Sequence, residues 1–432
     1  MLFPYNTERP NKIGAYSTAL LVALNVFIFV YQFFFTDPVA FADRYGFIAA
    51  HPTWYTPLTS MFVHAGFSHL AGNMLFLFVF GNDVEDALGH YAFLGFYLIG
   101  GLGAHALHAA VMSLSSPAAL NMPVIGASGA VSALMGLYAV RFYKTNVLVW
   151  YFIGFFYFLY FRTGTFKVKA AWFIGVYFAW QTIMGFVSLG ISVPTGVAVW
   201  AHIGGALTGL AFALLIHSPK EATVEYETQD AAAAQLGGSD ALAVDHWDRV
   251  LRVDPTNAEA NLKVGQSLLR LNENDKANKH FTIAFSSLFG REHNEVAAAD
   301  YEYLLLASIK PLLPPDILFR LASACELTGR ITSAAKAWAD LADAQPLPPE
   351  AETALIRLAY LKERNQADLA GAREAYARYL KAYPNGQWCD LAQAALTRLP
   401  GSPSSTSLAT PSAPEAPLPG LPGKEPPPHP SA

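Results

Sequence analysis

The sequence predicts an all-α protein in two parts, a polytopic bundle of six transmembrane helices and a following domain of α-helical repeats. Long apolar segments fill the first half of the chain, and a pattern of helices recurs in the second half. Only 9 of the 28 Lys and Arg residues precede residue 221. We therefore expect a membrane domain at 1–216, a linker at 217–239, a repeat domain at 240–399 and a disordered Pro-rich tail at 400–432.

Seven apolar segments follow one another in the first half. They are Tyr16–Phe35, Phe67–Phe80, Tyr91–Met112, Pro123–Val140, Val147–Phe161, Ala170–Val187 and Val197–Ile216. The fifth segment would make a helix of about 22 Å, which is shorter than the hydrocarbon core of about 30 Å. Cations flank it on both sides, with Arg141 and Lys144 before it and Arg162 after it. We predict that it forms an interfacial or re-entrant hairpin, with a seventh span as the alternative.

Six spans place both termini on the same side of the membrane. The segments on that side then hold eight Lys or Arg residues, whereas the loops on the other side hold only Arg44. Because positive residues stay in the cytoplasm, we expect a multi-pass protein of a bacterial inner membrane with both termini cytoplasmic.

The net charge of −5 argues against a nucleic-acid partner. The two cysteines, Cys325 and Cys389, fit a reducing compartment.

Polar residues lie near the outer ends of three predicted spans. Polar groups are costly inside a membrane span, so the presence of each one requires an explanation. His69 and Asn73 are four residues apart and share one helix face, and His64 precedes them. Ser128 and His202 lie at similar depths in their spans if those two helices run in the same direction. Together these residues supply a nucleophile, a base and hydrogen-bond donors, which is the set that acyl transfer needs.

Each of these residues also has a simpler explanation. Ser128 lies among small residues that allow membrane helices to pack closely, and His202 could hydrogen-bond a neighbouring helix. His69 and Asn73 could form a structural polar pair. His105 and His108 could join the other histidines at a metal site, but no carboxylate or cysteine accompanies them. We therefore predict neither a metal nor a cofactor.

These motifs, in this order, resemble those of the rhomboid family of intramembrane serine proteases. The matching stretches are His64-x4-His69-x3-Asn73, Gly126-Ala127-Ser128-Gly129 and Ala201-His202-Ile203-Gly204-Gly205, with Gly81 and Glu85 at the end of the second span. The resemblance implies that Ser128 is the nucleophile and His202 the general base and acid. It implies that Asn73, His69 and the Ser128 amide line the oxyanion hole, with His64 in an accessory role.

The resemblance also implies structural roles and leaves one position open. Glu85 would be a buried acceptor, Gly126 and Gly129 would allow close approach, and Gly204 and Gly205, with Gly209, would pack the His202 helix against the Ser128 helix. Many family members carry an aromatic residue that stacks on the histidine where this chain has Ser132, so this chain departs from the family pattern in how His202 is held. We expect packing to orient His202, because its span offers no carboxylate.

The resulting hypothesis is an endopeptidase that cleaves transmembrane protein substrates near the outer face of the bilayer. A catalytically silent rhomboid-like scaffold that binds client proteins is the alternative. A transporter is disfavoured because the spans show no paired internal repeats. The sequence contains neither His-Glu-x-x-His nor Gly-x-Gly-Asp, which disfavours membrane metalloproteases and aspartyl proteases.

The second half resembles a degenerate tetratricopeptide array with a repeat of roughly 34–38 residues. Three copies begin near Trp247, Pro314 and Pro349. Each copy predicts a helix pair that buries its apolar face by stacking on neighbouring pairs. A non-repeat helical bundle is the alternative. The array would bind a cytoplasmic protein partner.

Overall fold

The computed structural model of the chain describes residues 2–115, 117–155, 160–191, 198–344, 348–364 and 368–399. The chain divides into two compact units, residues 1–226 and 227–432, with the boundary inside a helix. The predicted tail at 400–432 lies outside the described residues.

The first unit is built mainly from helices. These are α1 (Tyr16–Phe35), α2 (Pro38–Tyr45), α3 (Thr56–Thr59), α4 (Phe67–Leu88), α5 (His90–Ser115), α6 (Ser128–Arg141), α7 (Ala170–Ile191), α8 (Val199–Leu215) and α9 (Ser218–Leu236), with 3₁₀ turns at Ser60–Phe62 and Pro117–Asn121. Each of the six predicted spans corresponds to one of these helices. The segment between the first two spans, predicted as a loop, contains α2 and α3. The predicted linker is largely helical, because α9 occupies it.

Three of these helices, α1, α5 and α7, are each long and apolar enough to cross a bilayer. Two bent pairs meet the same criterion only when each is taken as one span: the α3 segment with α4, bent by 95°, and α8 with α9, bent by 72°. The described residues therefore contain three to five candidate spans, and the count of six stays a prediction. Large apolar side chains such as Phe27, Trp172 and Leu214 are exposed on these helices, as expected for lipid-facing surfaces.

A three-stranded antiparallel sheet departs from the predicted all-helical membrane domain. Strands β1 (Leu2–Thr7), β2 (Asn146–Phe155) and β3 (Tyr160–Lys169) lie in that order, and Asn146 pairs with Lys169. The chain thus leaves α6 and enters α7 at the same end of the hairpin. The described arms of the fifth apolar segment pair antiparallel, as the predicted hairpin requires, but they are strands. Residues 156–159 of this segment lie outside the described residues. Consecutive β-branched and aromatic residues favour strands, and the uniformly apolar sequence conceals the alternation of faces.

Helix α6 lies at the centre of the first unit. Its side chains from Gly129 to Tyr138 are buried all round, which explains why its sequence shows no polar face. At 14 residues it is about 21 Å long, so it is enclosed by longer helices rather than by lipid. The N-terminus of this short, enclosed helix positions Ser128.

Helices α6 and α8 pack through backbone contacts and run in the same direction. A Cβ atom on Gly205 would lie 2.1 Å from the Gly129 carbonyl oxygen, and one on Gly209 would lie 1.9 Å from that of Ala133. The two contacts advance together by four residues along both helices, so the helices are parallel, as predicted. Gly204 differs from the prediction. It faces α5, where a Cβ would lie 2.7 Å from the Leu107 Cβ.

Besides the end of α9, the second unit contains nine helices within its described residues. They are α10 (Asp240–Val253), α11 (Ala258–Arg270), α12 (Asn274–Gly290), α13 (Asn294–Leu306), α14 (Pro315–Leu327), α15 (Ile331–Asp343), α16 (Ala351–Arg364), α17 (Leu369–Ala382) and α18 (Cys389–Arg398). Small residues allow neighbouring helices to approach: a Cβ on Gly265 of α11 would lie 2.7 Å from the Phe281 ring of α12. Trp338 and Tyr379, two of the predicted repeat positions, are fully buried.

Candidate active site

Ser128 is the first residue of α6, and His202 lies in the first turn of α8. Because the two helices are parallel and in backbone contact, their N-terminal ends lie side by side. The Ser128 Oγ is 2.8 Å from the His202 Nε2. His202 is 8% exposed, and Ser128 is partly exposed. The structure therefore brings together the two residues that the sequence predicts as a nucleophile and base.

The N-terminus of α6 provides backbone donors beside the Ser128 hydroxyl. Amides in the first turn of a helix have no partner within the helix, and the helix dipole places partial positive charge there. The preceding segment is held by backbone hydrogen bonds between Phe47 and Val124 and from the Gly126 amide to the Ser60 carbonyl, 2.8 Å long. This arrangement suits the binding of a developing oxyanion.

Gly126 adopts a conformation that other residues disfavour. Its φ of +113° is rare for residues with a side chain, and a Cβ would lie 2.7 Å from the His69 Nε2 and 3.4 Å from the Asn73 Nδ2. His69 and Asn73 therefore lie directly against the segment that leads into Ser128. Gly126 leaves open the space between these two donors and the serine.

His64 and Asn73 form a hydrogen-bonded pair with a consistent proton arrangement. The His64 Nδ1 donates to the Phe62 carbonyl at 3.3 Å, so its Nε2 accepts from the Asn73 Nδ2 at 3.0 Å. His64 is fully buried. The pair fixes the orientation of the Asn73 amide, whose second N–H remains for another acceptor. His69 stands beside this pair, with its ring centroid 5.2 Å from that of His64.

The predicted residues meet in one cavity of about 870 Å³. Ser128, His202, His69 and Asn73 line it, together with His108 and Trp200. A volume of this size can receive an extended peptide segment or a ligand of comparable size. His105, by contrast, pairs through its Nε2 with the Ser60 Oγ at 2.9 Å and stacks on Phe47. The two α5 histidines therefore have different surroundings.

Glu85 and its neighbours lie at the far end of α4, away from this cavity. Glu85 is fully buried and accepts hydrogen bonds from the Ser17 amide, the Thr18 amide and the Thr18 hydroxyl, each 2.7 Å long. His90 lies 2.6 Å from the same carboxylate. Glu85 thus caps the start of α1, where free amides favour a negative charge.

Two glutamines contribute to the site although the sequence analysis did not single them out. Gln32 of α1 donates from its Nε2 to the His64 carbonyl at 2.9 Å and accepts from the His64 amide at 3.4 Å. The Gln181 Oε1 of α7 lies 3.3 Å from the His202 Nδ1. The prediction that packing alone orients His202 is therefore incomplete. The sequence signal that could have identified both glutamines is a polar amide within an apolar span.

One further cluster of possible metal ligands lies in the second unit. Among the described residues, Glu227, Asp230 and His246 place ligand atoms within 4.8 Å of one another. The Glu227 carboxylate also pairs with Arg249 at 3.2 Å. The arginine already supplies positive charge to this carboxylate, so the cluster forms an ion-pair network.

Comparison with known proteins agrees with these features. Residues 51–219 match the family model of the rhomboid domain, and residues 284–347 and 353–386 match tetratricopeptide repeat models. The chain is 37% identical over 89 residues to Rhomboid-like protein 11, chloroplastic, of Arabidopsis thaliana, which covers 21% of this chain and 29% of that protein. It is 32% identical over 111 residues to Rhomboid protease AarA of Providencia stuartii, covering 24% and 40%.

A third relative is the Putative rhomboid protease YdcA of Bacillus subtilis (strain 168), with 31% identity over 109 residues, or 24% of this chain and 50% of that protein. The chain thus spans half or less of the length of these curated relatives. Among solved structures, the crystal structure of MamA protein aligns with 38% of this chain and 92% of its own at 17% identity, with a TM-score of 0.18. The family matches show that this membrane protein carries a rhomboid domain at residues 51–219, followed by tetratricopeptide repeats.

Proposed function

We propose that this protein is a serine endopeptidase that cleaves transmembrane protein substrates within the bilayer, near its outer face. The contact of 2.8 Å between the Ser128 Oγ and the His202 Nε2 carries the proposal. It lies in a cavity among apolar helices, where a serine–histidine pair has no simple packing role. The names of the relatives from Providencia and Bacillus support the same class of activity.

In the first step, the Ser128 Oγ attacks the carbonyl carbon of the scissile peptide bond. The serine proton passes to the His202 Nε2, and the carbonyl oxygen becomes an oxyanion. The Ser128 amide and the side chains of Asn73 and His69 donate hydrogen bonds to that oxyanion. His202 then gives its proton to the leaving amine, the C–N bond breaks, and an acyl-enzyme ester remains.

In the second step, water takes the place of the departed amine. His202 removes a proton from the water as its oxygen attacks the ester carbonyl. The ester bond breaks, and the same proton returns to the Ser128 oxygen. The products are a new carboxylic acid and a new amine, which ionise to a carboxylate and an ammonium group, so neither a metal nor a cofactor enters the balance.

The backbone carbonyls of a substrate helix accept hydrogen bonds within that helix. The helix must therefore unwind locally before Ser128 can attack a carbonyl carbon. We propose that preferred substrates carry small or helix-destabilising residues at the cut site.

The repeat unit offers a separate surface for a protein partner. A cavity of about 490 Å³ is lined by Leu262, Lys263, Asp300, Tyr303 and Leu304, among others. Its mixed apolar and charged lining suits a peptide segment of a cytoplasmic partner.

The deciding experiment compares the full-length protein with Ser128→Ala in proteoliposomes that contain a model single-span substrate. We expect wild type to cleave the substrate and to react with a fluorophosphonate probe, whereas the variant does neither and remains folded. Cleavage by folded Ser128→Ala would overturn the proposal. Absence of both cleavage and probe labelling in the wild type would instead favour a silent scaffold that binds membrane clients.

A further inference from the structure

A single amide of α7 reaches the base of the proposed dyad. Gln181 lies within an apolar helix, and its Oε1 is 3.3 Å from the His202 Nδ1. The opposite ring nitrogen, Nε2, is the one that faces Ser128. Gln181 and Ser128 thus bind the two nitrogens of the same imidazole. From this geometry we propose that Gln181 is a positioning residue that fixes the tautomer and ring orientation of His202.

The required proton arrangement follows from the chemistry of the neutral imidazole. A general base that accepts the Ser128 proton needs a free lone pair on Nε2, so the proton of the ring must be on Nδ1. That Nδ1–H needs an acceptor, because a buried donor without one costs free energy. The Gln181 Oε1 is such an acceptor. It selects the tautomer in which Nε2 can act.

A glutamine suits this position better than a carboxylate would in an apolar helix. An amide oxygen accepts the Nδ1–H without bringing a buried charge, which would be costly among apolar spans. Ser132, which lines the same cavity, cannot stack on the ring as an aromatic residue would. The hydrogen bond from α7 thus supplies orientation that the Ser132 position lacks.

The surroundings of Gln181 restrict its own rotation. Tyr177 lies one turn earlier on the same face of α7, close to the Gln181 side chain. The Tyr177 ring in turn packs against Phe76 of α4, with centroids 5.9 Å apart. The chain of contacts runs from α4 through two side chains of α7 to the base. An amide held in this way orients the imidazole more firmly than a freely rotating one.

This inference rests on the proposed function, so its test is made on the full-length protein after Ser128→Ala has been compared with wild type. Gln181→Met keeps the length of the side chain but removes the acceptor, and Gln181→Leu is a second variant without an acceptor. Gln181→Glu restores an acceptor oxygen. Thr182→Val is the matched control, because the Thr182 hydroxyl donates to the Phe178 carbonyl of its own helix.

The measured quantities are kcat and KM for cleavage of the model substrate, normalised to folded protein, and the rate of fluorophosphonate labelling. We expect Gln181→Met and Gln181→Leu to lower kcat by about 10- to 100-fold and the labelling rate in parallel, with KM within about twofold of wild type. Gln181→Glu should recover part of the lost kcat, since it restores the acceptor but adds a buried charge, and Thr182→Val should match wild type.

Two results would overturn the assignment. One is a kcat of both acceptor-free variants within about twofold of wild type. The other is an equal loss in Thr182→Val, or no recovery in Gln181→Glu, since either would mean that α7 packing matters and not the acceptor. Failure of the proposed function looks different: wild type and Ser128→Ala would then behave alike, whatever the Gln181 variants do.

Discussion

Gly205 of α8 lies against the carbonyl oxygen of Gly129 on α6, and an added Cβ would be only 2.1 Å from that oxygen. The contact is three residues beyond His202 and one residue beyond Ser128. The backbone separation of the two helices at this point therefore controls the distance between serine and histidine. Neither glycine carries a reacting group, yet together they place two reacting groups within hydrogen-bond distance.

We expect Gly205→Ala to lower proteolysis by about 100-fold, because the methyl group must push α8 away from α6 and lengthen the Ser128–His202 contact. Overpacking of this kind also lowers the free energy of unfolding, by about 1–3 kcal/mol. Cleavage rate and thermal unfolding in detergent check both effects. Gly175→Ala is the control, since a Cβ there meets nothing within 4 Å. Equal activity of the two variants would contradict the proposed role of the contact.

Asn73→Ala should lower kcat by about 100- to 1000-fold, because it removes a donor from the proposed oxyanion site. The change should leave KM nearly constant, since the donor matters most after charge develops on the substrate oxygen. It also removes the partner of the His64 Nε2. Steady-state kinetics on proteoliposomes measure whether kcat falls while KM stays nearly constant. His64→Ala separates the two effects, and a larger loss of kcat for His64→Ala than for Asn73→Ala would argue against the oxyanion role.

The sequence indicated which residues belong to the site because polar side chains stand out in apolar spans. His69, Asn73, Ser128 and His202 were visible in this way, and His64 lies in the loop just before the second span. The parallel course of α6 and α8 could also be inferred, because Ser128 and His202 can meet at one depth only if the helices share a direction. Both inferences were possible because the spacing of residues along one helix and the number of membrane crossings between two helices can be read directly from the sequence.

Other features depend on tertiary geometry that the sequence does not encode locally. Gln181 is one amide in an apolar helix, and only the structure shows that it faces His202. The sheet was missed because β2 is apolar on both faces, although Val147 is buried and Trp150 is exposed. Gly204 lies beside Gly205, but one residue turns a helix by about 100°, so it faces α5.

Glu85→Ala should destabilise the first unit without changing the chemistry of each folded molecule. The substitution leaves the Ser17 and Thr18 amides buried without their acceptor, and we expect a loss of about 3 kcal/mol in the free energy of unfolding. Glu85→Gln keeps one acceptor oxygen and should lose less. Unfolding in detergent measures stability, and fluorophosphonate labelling per folded molecule measures chemistry. A fall in labelling per folded molecule would mean that Glu85 affects the site itself.

Reporter fusions at Lys144 and Lys167 should read the same side of the membrane. Lys144 precedes β2, and Lys167 pairs with Leu148 in the hairpin register, so the chain returns to its starting side between the two positions. Positive residues near both points predict that this side is the cytoplasm. A fusion at Arg44 is the control and should read the opposite side. Opposite readings at Lys144 and Lys167 would require that the segment between them crosses the bilayer.

The two cysteines of the repeat unit should differ strongly in reactivity. Cys325 on α14 is fully buried, and burial raises the pKa of its thiol to about 12. At pH 8 only about one molecule in ten thousand then carries the reactive thiolate at this position. Cys389, at the start of α18, is partly exposed. We expect a thiol reagent at pH 8 to modify Cys389 rapidly and Cys325 only as the repeats unfold.

The Cys389→Ser variant isolates the slow reaction of Cys325, and denaturant should accelerate that reaction in step with loss of helicity. Rapid modification of Cys325 in the folded variant would show that α14 opens without global unfolding of the array.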